Sequence, residues 1–345
     1  VRHVGPVRIH LSLVYKVRIQ LCSTLCGGGP YRKVGSTAPG LPIRMKITMA
    51  DHQRGVSDEW FEQWPQTGAY VASDGHANRI PLRLTSTNVI VYGRAKLAEV
   101  LKDFEHEDHR PVTVGGDVPV QLWCNNFTDT DCGPADRVNP YIETWYSFPV
   151  TPKAEPLDLP YESPFSLNVQ APEALVWCHR VLCGPASDGY ALGAIAAIAG
   201  GREVWGFPKH PGLADLSFEY PDSETVVFRG SHQGHRVLSL SVKRPECVEG
   251  HVTLALDERT GPDTCITPRQ NPWKATFVAK QTRYGQAFAA TMQISPWDET
   301  TDSLTIYSEE EYFGALLNSW EFKPALKMHC SDLRIVAFKP AGWIE

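Results

Sequence analysis

Residues 197–211 read AIAGGREVWGFPKHP, and the lysine near the end of this stretch decides how the rest of the chain is interpreted. Lys209 has Trp205 and Phe207 upstream and Pro208 directly before it. Proline fixes its own φ and has no backbone N–H to donate. A lone lysine is normally a solvated surface charge, but these neighbours are typical of a lysine held rigidly in apolar surroundings.

An apolar setting changes the chemistry that a lysine can perform. Removal from water disfavours the ammonium form and lowers the pKa of the amine. A neutral amine attacks a carbonyl carbon, whereas an ammonium does not. The resulting protonated imine accepts the electrons released when a carboxylate, or a proton, leaves the adjacent carbon. The stretch therefore predicts imine chemistry on a keto compound.

The same stretch resembles the signature of the acetoacetate decarboxylase superfamily. That signature is an A-I-A-x-G-R-E run, then four residues, then Pro-Lys-Lys, and residues 197–209 match it without a gap. The resemblance implies that Lys209 is the imine-forming lysine. Residues 141–150, YIETWYSFPV, resemble the family's Y-x-E-x4-[apolar]-P-V stretch, which implies that Glu143 is its active-site glutamate. From the residues alone, Glu143 is equally a solvated strand carboxylate.

The chain departs from the family pattern at three positions. His210 stands where the family has a second lysine, and a histidine is mostly neutral near pH 7. We expect His210 to tune the Lys209 pKa or to shuttle a proton, with burial lowering that pKa further. A second family carboxylate aligns with Trp123. The family's active-site arginine is assigned to Arg83, with two alternatives that we leave open, Arg79 and Arg94.

Aromatic residues surround the two motifs and suit a large, flat or apolar ligand. The predicted substrate contacts, besides Arg83, are Trp123, Tyr141, Trp145, Trp205 and Phe207. The alternative interpretation is that these rings are ordinary core residues.

Composition favours a β-rich globular protein. The chain has 345 residues, 42% of them apolar and 21% charged, with 27 glycines and 27 prolines, a mixture typical of many short elements joined by turns. Strand-like patterns cover residues 89–92, 118–123, 141–150, 174–182, 225–228, 237–242, 252–256 and 333–338. Helical patterns cover residues 95–104, 190–199 and 309–317. Pro149 is expected to end its strand, and Gly200-Gly201 to end or bend the second helix.

Charge is distributed unevenly, which bears on domain organisation and on partners. No acidic residue precedes Asp51, although the whole chain carries a formal charge of −6. We expect residues 1–44 to be a leader, an expression remnant or a non-native extension, with a transit peptide as an alternative, and residues 45–345 to form one domain. The acidic body argues against nucleic-acid binding, and the sequence has no apolar run long enough to span a membrane.

These observations give one set of expectations. The resemblance implies an α+β, mainly β fold: a closed, cone-like antiparallel barrel with a few flanking helices, assembled as a homo-oligomer. We expect no metal or organic cofactor, since the nine cysteines show no zinc spacing and the lysine itself supplies the electrophile. The predicted function is decarboxylation of a β-keto acid in specialised metabolism, in the cytoplasm. The alternatives are an imine-based aldolase, dehydratase or cyclase, and a non-catalytic ligand-binding barrel.

Overall fold

A computed structural model of the chain describes residues 45–46, 58–133, 139–169, 174–186, 191–245, 252–256, 265–266, 283–284 and 286–338. The predicted extension, residues 1–44, lies outside the described residues.

Strands dominate the described residues. They are β1 (Met45–Lys46), β2 (Gly68–Val71), β3 (Ala77–Ile80), β4 (Leu82–Lys96), β5 (His109–Pro111), β6 (Thr113–Val114), β7 (Asp117–Thr130), β8 (Tyr141–Pro152), β9 (Asp158–Leu159), β10 (Leu175–Pro185), β11 (Asp215–Glu219), β12 (Thr225–His232), β13 (His235–Lys243), β14 (Val252–Leu256), β15 (Cys265–Ile266), β16 (Arg283–Tyr284), β17 (Gln286–Pro296), β18 (Ser303–Ile306) and β19 (Lys323–Ala337). The helices are α1 (Leu97–Asp103), α2 (Leu192–Val204) and α3 (Gly314–Ser319), with 3-10 turns at Asp58–Gln63 and Pro164–Leu167. The prediction of a mainly β fold with few helices is confirmed.

One large sheet organises the molecule, and its central strands are long and antiparallel. Its order is β1-β14-β17-β19-β4-β7-β8-β10-β15-β16. The predicted closed barrel is not formed: within the described strands, β1 pairs only with β14 at one end and β16 only with β15 at the other. Closure requires hydrogen bonding between the first and last strands, and here both ends are two-residue strands that do not meet.

Alternation along the long strands gives the large sheet two buried faces. On β4, Val89 and Val91 belong to one apolar cluster, and Ile90 and Tyr92 belong to another. The first cluster lies against a second sheet of order β11-β12-β13-β18. The second cluster is covered by α2, and we call this side of the sheet the α2 face. Successive side chains on a strand point to opposite faces, so register decides which residues meet there.

Three local expectations need correction. Pro149 does not end β8, because it stays in register with Val176 and its carbonyl accepts the Val112 N–H. Gly200-Gly201 does not end α2, which continues to Val204. The third helix begins at Gly314 rather than at 309, because the preceding residues form a turn around the carboxylate of Glu310. All eight predicted strands lie within observed strands, apart from terminal residues.

Within the described part of the chain, no helix combines the length and apolar character that crossing a membrane requires.

Candidate active site

The segment that carries Lys209 is fixed on both sides by backbone hydrogen bonds. It leaves α2 through Gly206, whose φ of +66° is readily adopted only by glycine, and returns along β10. Lys209 forms a parallel bridge with Val181, flanked by hydrogen bonds from Val181 N to Pro208 O (3.2 Å) and from His210 N to Val181 O (2.9 Å). The lysine therefore stands on a strand-like support.

The amine of Lys209 faces Glu143. The side chain is buried, and its Nζ lies 2.5 Å from Glu143 Oε2. The Cys183 thiol donates to the same carboxylate oxygen over 3.2 Å. Glu143 and Cys183 are register partners on β8 and β10, so the sheet itself aligns them. The two residues that the motifs singled out, 66 positions apart, are brought into direct contact.

The electrostatics of this pair differ from the sequence expectation. Burial alone lowers the pKa of Lys209, but the neighbouring Cys183 and Glu143 side chains, together with the hydrogen bond to Glu143, oppose this effect, and the net pKa is raised. Burial also raises the pKa of the Cys183 thiol well above its ordinary value, so this thiol is protonated near neutral pH. The Glu143 carboxylate is then the main cause of the raised Lys209 pKa. The predicted lowering of that pKa is wrong: the lysine is an ammonium paired with Glu143.

Helix α2 approaches the lysine through a glycine. A Cβ on Gly201 would lie 2.6 Å from Lys209 Cε and 2.9 Å from Cδ, closer than real Cβ contacts. A Cβ on Gly200 would meet the Asn78 side chain at 2.6 Å. This explains why the two glycines lie inside the helix: they let the lysine and the β3 strand pack directly on its backbone.

We expect Gly201→Ala to leave the chain folded and to slow adduct formation at Lys209 by about tenfold to a hundredfold, because displacement of the amine spoils its approach to a bound carbonyl. The helical preference for alanine, about 0.5–1 kcal/mol, offsets part of the steric cost. The measurement is the rate of borohydride-trapped adduct by intact mass, beside thermal unfolding. Gly68→Ala, where a Cβ meets nothing within 4 Å, is the control. An unchanged trapping rate in Gly201→Ala would contradict this geometry.

Arg202 and Glu203 brace the site from outside. The Arg202 guanidinium donates to Lys209 O over 2.7 Å and so fixes the backbone of the lysine. The Glu203 carboxylate accepts from Tyr70 Oη (2.8 Å) and from the backbone N–H of Ser73, which holds the β2–β3 hairpin against α2.

His210 points away from the Lys209–Glu143 pair, as expected for consecutive residues on an extended segment. Its ring packs edge-on against His232, with centroids 4.0 Å apart, and against Tyr312. Gly212 N donates to His210 Nδ1 over 2.9 Å. Burial, followed by the charge of His232, lowers the pKa of His210, so the ring is neutral near pH 7. The geometry therefore favours support of the lysine segment over proton transfer at Nζ.

The predicted aromatic contacts divide into two groups. The rings of Tyr141 and Phe207 lie beside the amine, with centroids 5.5 Å and 5.7 Å from Lys209 Nζ. Trp123 and Trp145 stack on each other at 4.9 Å, are only partly buried, and extend the α2 face next to Glu143 along β7 and β8. Trp205 is instead a core residue, fully buried with its Nε1 donating to Phe338 O.

Arg83 lies on the face of β4 opposite the α2 face, on which its neighbour Leu84 lies. Arg83 donates to Trp64 O over 2.8 Å and lies over the Phe61 ring, in the cluster around Trp60 and Trp64. Alternation along the strand is the reason, since Leu82 and Leu84 occupy the opposite face.

The two alternative arginines are each held by an aspartate. Arg79 pairs with Asp131 at 3.3 Å, and Arg94 pairs with Asp117 at 3.8 Å.

Sequence reasoning missed a polar row that crosses the sheet beside the lysine. Cys183 pairs in register with Glu143, Glu143 with Asn125, Asn125 with Asn88, and Asn88 with Cys330. All five residues are buried. The asparagines beside apolar strand residues were the available signal, but only the register shows that they align with Glu143.

Comparison with solved structures supplies chains of similar fold. The chain is similar to acetoacetate decarboxylases. The decarboxylase from Legionella pneumophila is 17% identical over 85% of this chain and 98% of its own, with a TM-score of 0.43. An acetoacetate decarboxylase-like enzyme from Sphingomonas wittichii is 12% identical over 76% of this chain and 93% of its own, with a TM-score of 0.43. The enduracididine biosynthesis enzyme MppR, complexed with pyruvate, is 11% identical over 75% of this chain and 89% of its own, with a TM-score of 0.42.

The first two are named for the family that the lysine motif indicated. Identities of 11–17% and TM-scores below 0.5 assign neither a reaction nor a residue role to this chain. No family model matches the chain, and no curated protein matches it.

Proposed function

We propose that the protein is an imine-forming enzyme, a carbon–carbon lyase or a close chemical relative, that acts on a keto-containing small molecule through Lys209. The observation that carries the proposal is the buried contact of 2.5 Å between Lys209 Nζ and Glu143 Oε2. It provides a nucleophile and an adjacent proton acceptor on a rigid support.

Glu143 can accept the proton that the Lys209 ammonium must lose before its amine can attack a carbonyl carbon. When a ketone enters and excludes water, a proton passes from Lys209 Nζ to Glu143 Oε2 and leaves a neutral amine. The amine attacks the carbonyl carbon, the carbinolamine loses water, and a protonated imine remains. Glu143 returns its proton to the departing hydroxyl group, so the charge of the site is conserved. Tyr141 and Phe207 shield the imine from water.

Two outcomes can follow from this imine. Loss of carbon dioxide from a β-keto acid is the reaction predicted from the sequence. Aldol cleavage, dehydration or cyclisation uses the same electron sink and releases no carbon dioxide. The test treats the protein with borohydride and a panel of β-keto acids and diketones, reads the adduct by intact mass, and measures carbon dioxide in parallel. An adduct together with carbon dioxide supports decarboxylation; an adduct without it supports the second group.

The same contact also fits a binding protein, in which the pair is a structural salt bridge that leaves the lysine unreactive. Removal of one partner of a buried pair is costly, so retention of both is compatible with a purely structural role. A ligand that binds in the site but is never trapped by borohydride would favour this second candidate and would contradict the enzyme proposal.

A further inference from the structure

The polar row beside Glu143 contains hydrogen-bonding atoms that have no partner. Asn88 is fully buried, and neither its Nδ2 nor its Oδ1 has a hydrogen-bond partner. Asn125 is 1% exposed, and its Nδ2 also has none. Buried polar groups in folded proteins are nearly always satisfied, because an unmade hydrogen bond costs free energy. Two such residues side by side can therefore hold a polar group of a bound ligand.

The register places these atoms within reach of a ligand attached to the lysine. Asn125 lies directly opposite Glu143 on the neighbouring strand, and Asn88 lies directly opposite Asn125. Neighbouring strands are about 4.8 Å apart, so Asn125 is one spacing from Glu143 and Asn88 is two. A carbon chain of three to five atoms bound to Lys209 Nζ spans about one of these spacings, and hydrogen bonds from the amide side chains shorten the remaining distance to Asn88.

The charges around the polar row determine which functional group of a ligand it can bind. Asparagine amides donate and accept hydrogen bonds but carry no charge. Lys209 and Glu143 neutralise each other, and the arginines considered for the site hold Asp131, Asp117 and the Trp64 carbonyl instead. A substrate carboxylate on Asn125 would lie one strand from Glu143 and would repel it. A carbonyl or hydroxyl oxygen would accept from the amides without that cost.

We propose that Asn88 and Asn125 form a subsite for a neutral oxygen function of the substrate, a second carbonyl or a hydroxyl group. The substrate class is then a β-dicarbonyl or β-hydroxy ketone rather than a β-keto acid, and the reaction belongs to the imine chemistries that release no carbon dioxide. The subsite rests on the proposed function, because it assumes that the substrate is a ketone attached to Lys209. Both amide atoms of Asn88 are unpartnered, so this residue offers a donor and an acceptor whichever way its amide is oriented.

The test compares a neutral ligand with an anionic one of similar size. Calorimetry measures binding of 2,4-pentanedione and of acetoacetate to the wild type, Asn125→Leu, Asn88→Leu and Tyr146→Phe. Leucine has the same branched arrangement of side-chain heavy atoms as asparagine, and removing an unsatisfied buried polar group avoids its desolvation cost. Tyr146→Phe is the matched control, since the Tyr146 hydroxyl is also buried and unpartnered but belongs to the opposite face of the sheet.

We expect the wild type to bind 2,4-pentanedione more tightly than acetoacetate. Each leucine variant should weaken that binding about tenfold, and Tyr146→Phe should leave it unchanged. Equal affinities in wild type and leucine variants, tighter binding of acetoacetate, or no binding of the diketone would overturn the subsite.

Intact mass of the same samples, measured directly for the enaminone of 2,4-pentanedione and after borohydride treatment for acetoacetate, separates this proposal from the function on which it rests. If adduct formation is unchanged in both leucine variants, the imine function is supported and the subsite is contradicted. If binding is weakened in the leucine variants but no adduct forms, the subsite is supported and the imine function is contradicted.

Discussion

Lys209→Met is expected to abolish borohydride-trapped adducts altogether, and to reduce any turnover at least about a thousandfold, because the nucleophilic amine is removed. The substitution also leaves Glu143 buried with only the Cys183 thiol as a partner. We therefore expect the free energy of unfolding to fall by about 3–5 kcal/mol, the usual cost of removing one member of a buried ion pair. Intact-mass spectrometry and denaturant unfolding measure the two effects.

The chain offers a matched control for this substitution in a second buried lysine. Lys327 Nζ lies 2.6 Å and 2.7 Å from the two carboxylate oxygens of Asp302, and both residues are buried. Lys327→Met should cost a similar amount of stability while leaving adduct formation intact. The double variant Lys209→Met/Glu143→Leu removes both partners and should recover stability without recovering the adduct. A persistent adduct in Lys209→Met would show that another lysine reacts.

Glu143→Gln is expected to make Lys209 more reactive towards simple reagents and less effective with substrate. The carboxylate is what raises the lysine pKa, so without it burial prevails and the pKa falls below its ordinary value. Each unit of decrease gives about ten times more neutral amine at a pH below the pKa. Reductive methylation of Lys209, followed across pH by peptide mass spectrometry, should therefore move to lower pH. Turnover should nevertheless fall, by about 10²–10⁴-fold, because the proton acceptor is lost.

The control for Glu143→Gln is Glu203→Gln. Glu203 is similarly buried, but its carboxylate binds Tyr70 and Ser73 rather than the lysine. This variant should leave the pH midpoint of Lys209 labelling unchanged. An unchanged midpoint in Glu143→Gln would mean that the carboxylate does not govern the lysine pKa.

The sequence predicted the two central residues because each lies in a motif with several residue types in register. It also predicted a mainly β fold and the positions of the long strands, since the alternation in β7 and the aromatic, β-forming composition of β8 are readable locally. The direction of the Lys209 pKa could not be predicted. It depends on a contact of 2.5 Å to a residue 66 positions away, and sequence shows only that the lysine is buried.

The remaining errors concern which face of a strand a side chain occupies and how neighbouring strands are paired. The sequence alone determines neither. Arg83 was expected in the site, but alternation along β4 turns it to the Trp64 side. His210 follows Lys209 directly and therefore faces the other way, towards His232. The alignment of Asn88 and Asn125 with Glu143 depends on pairing between three strands. The prediction of a closed barrel was wrong for a related reason. Closure depends on pairing between the first and last strands of the sheet, and these short strands have no strong local pattern.

The most direct test of the central claim is to locate the trapped adduct. The full chain is incubated with acetone, whose imine borohydride reduces, then treated with borohydride, digested and mapped by peptide mass spectrometry. The account predicts a single modified residue, Lys209, in the peptide that contains Phe207 and His210. Modification spread over exposed lysines such as Lys96 and Lys102, with Lys209 unmodified, would contradict it.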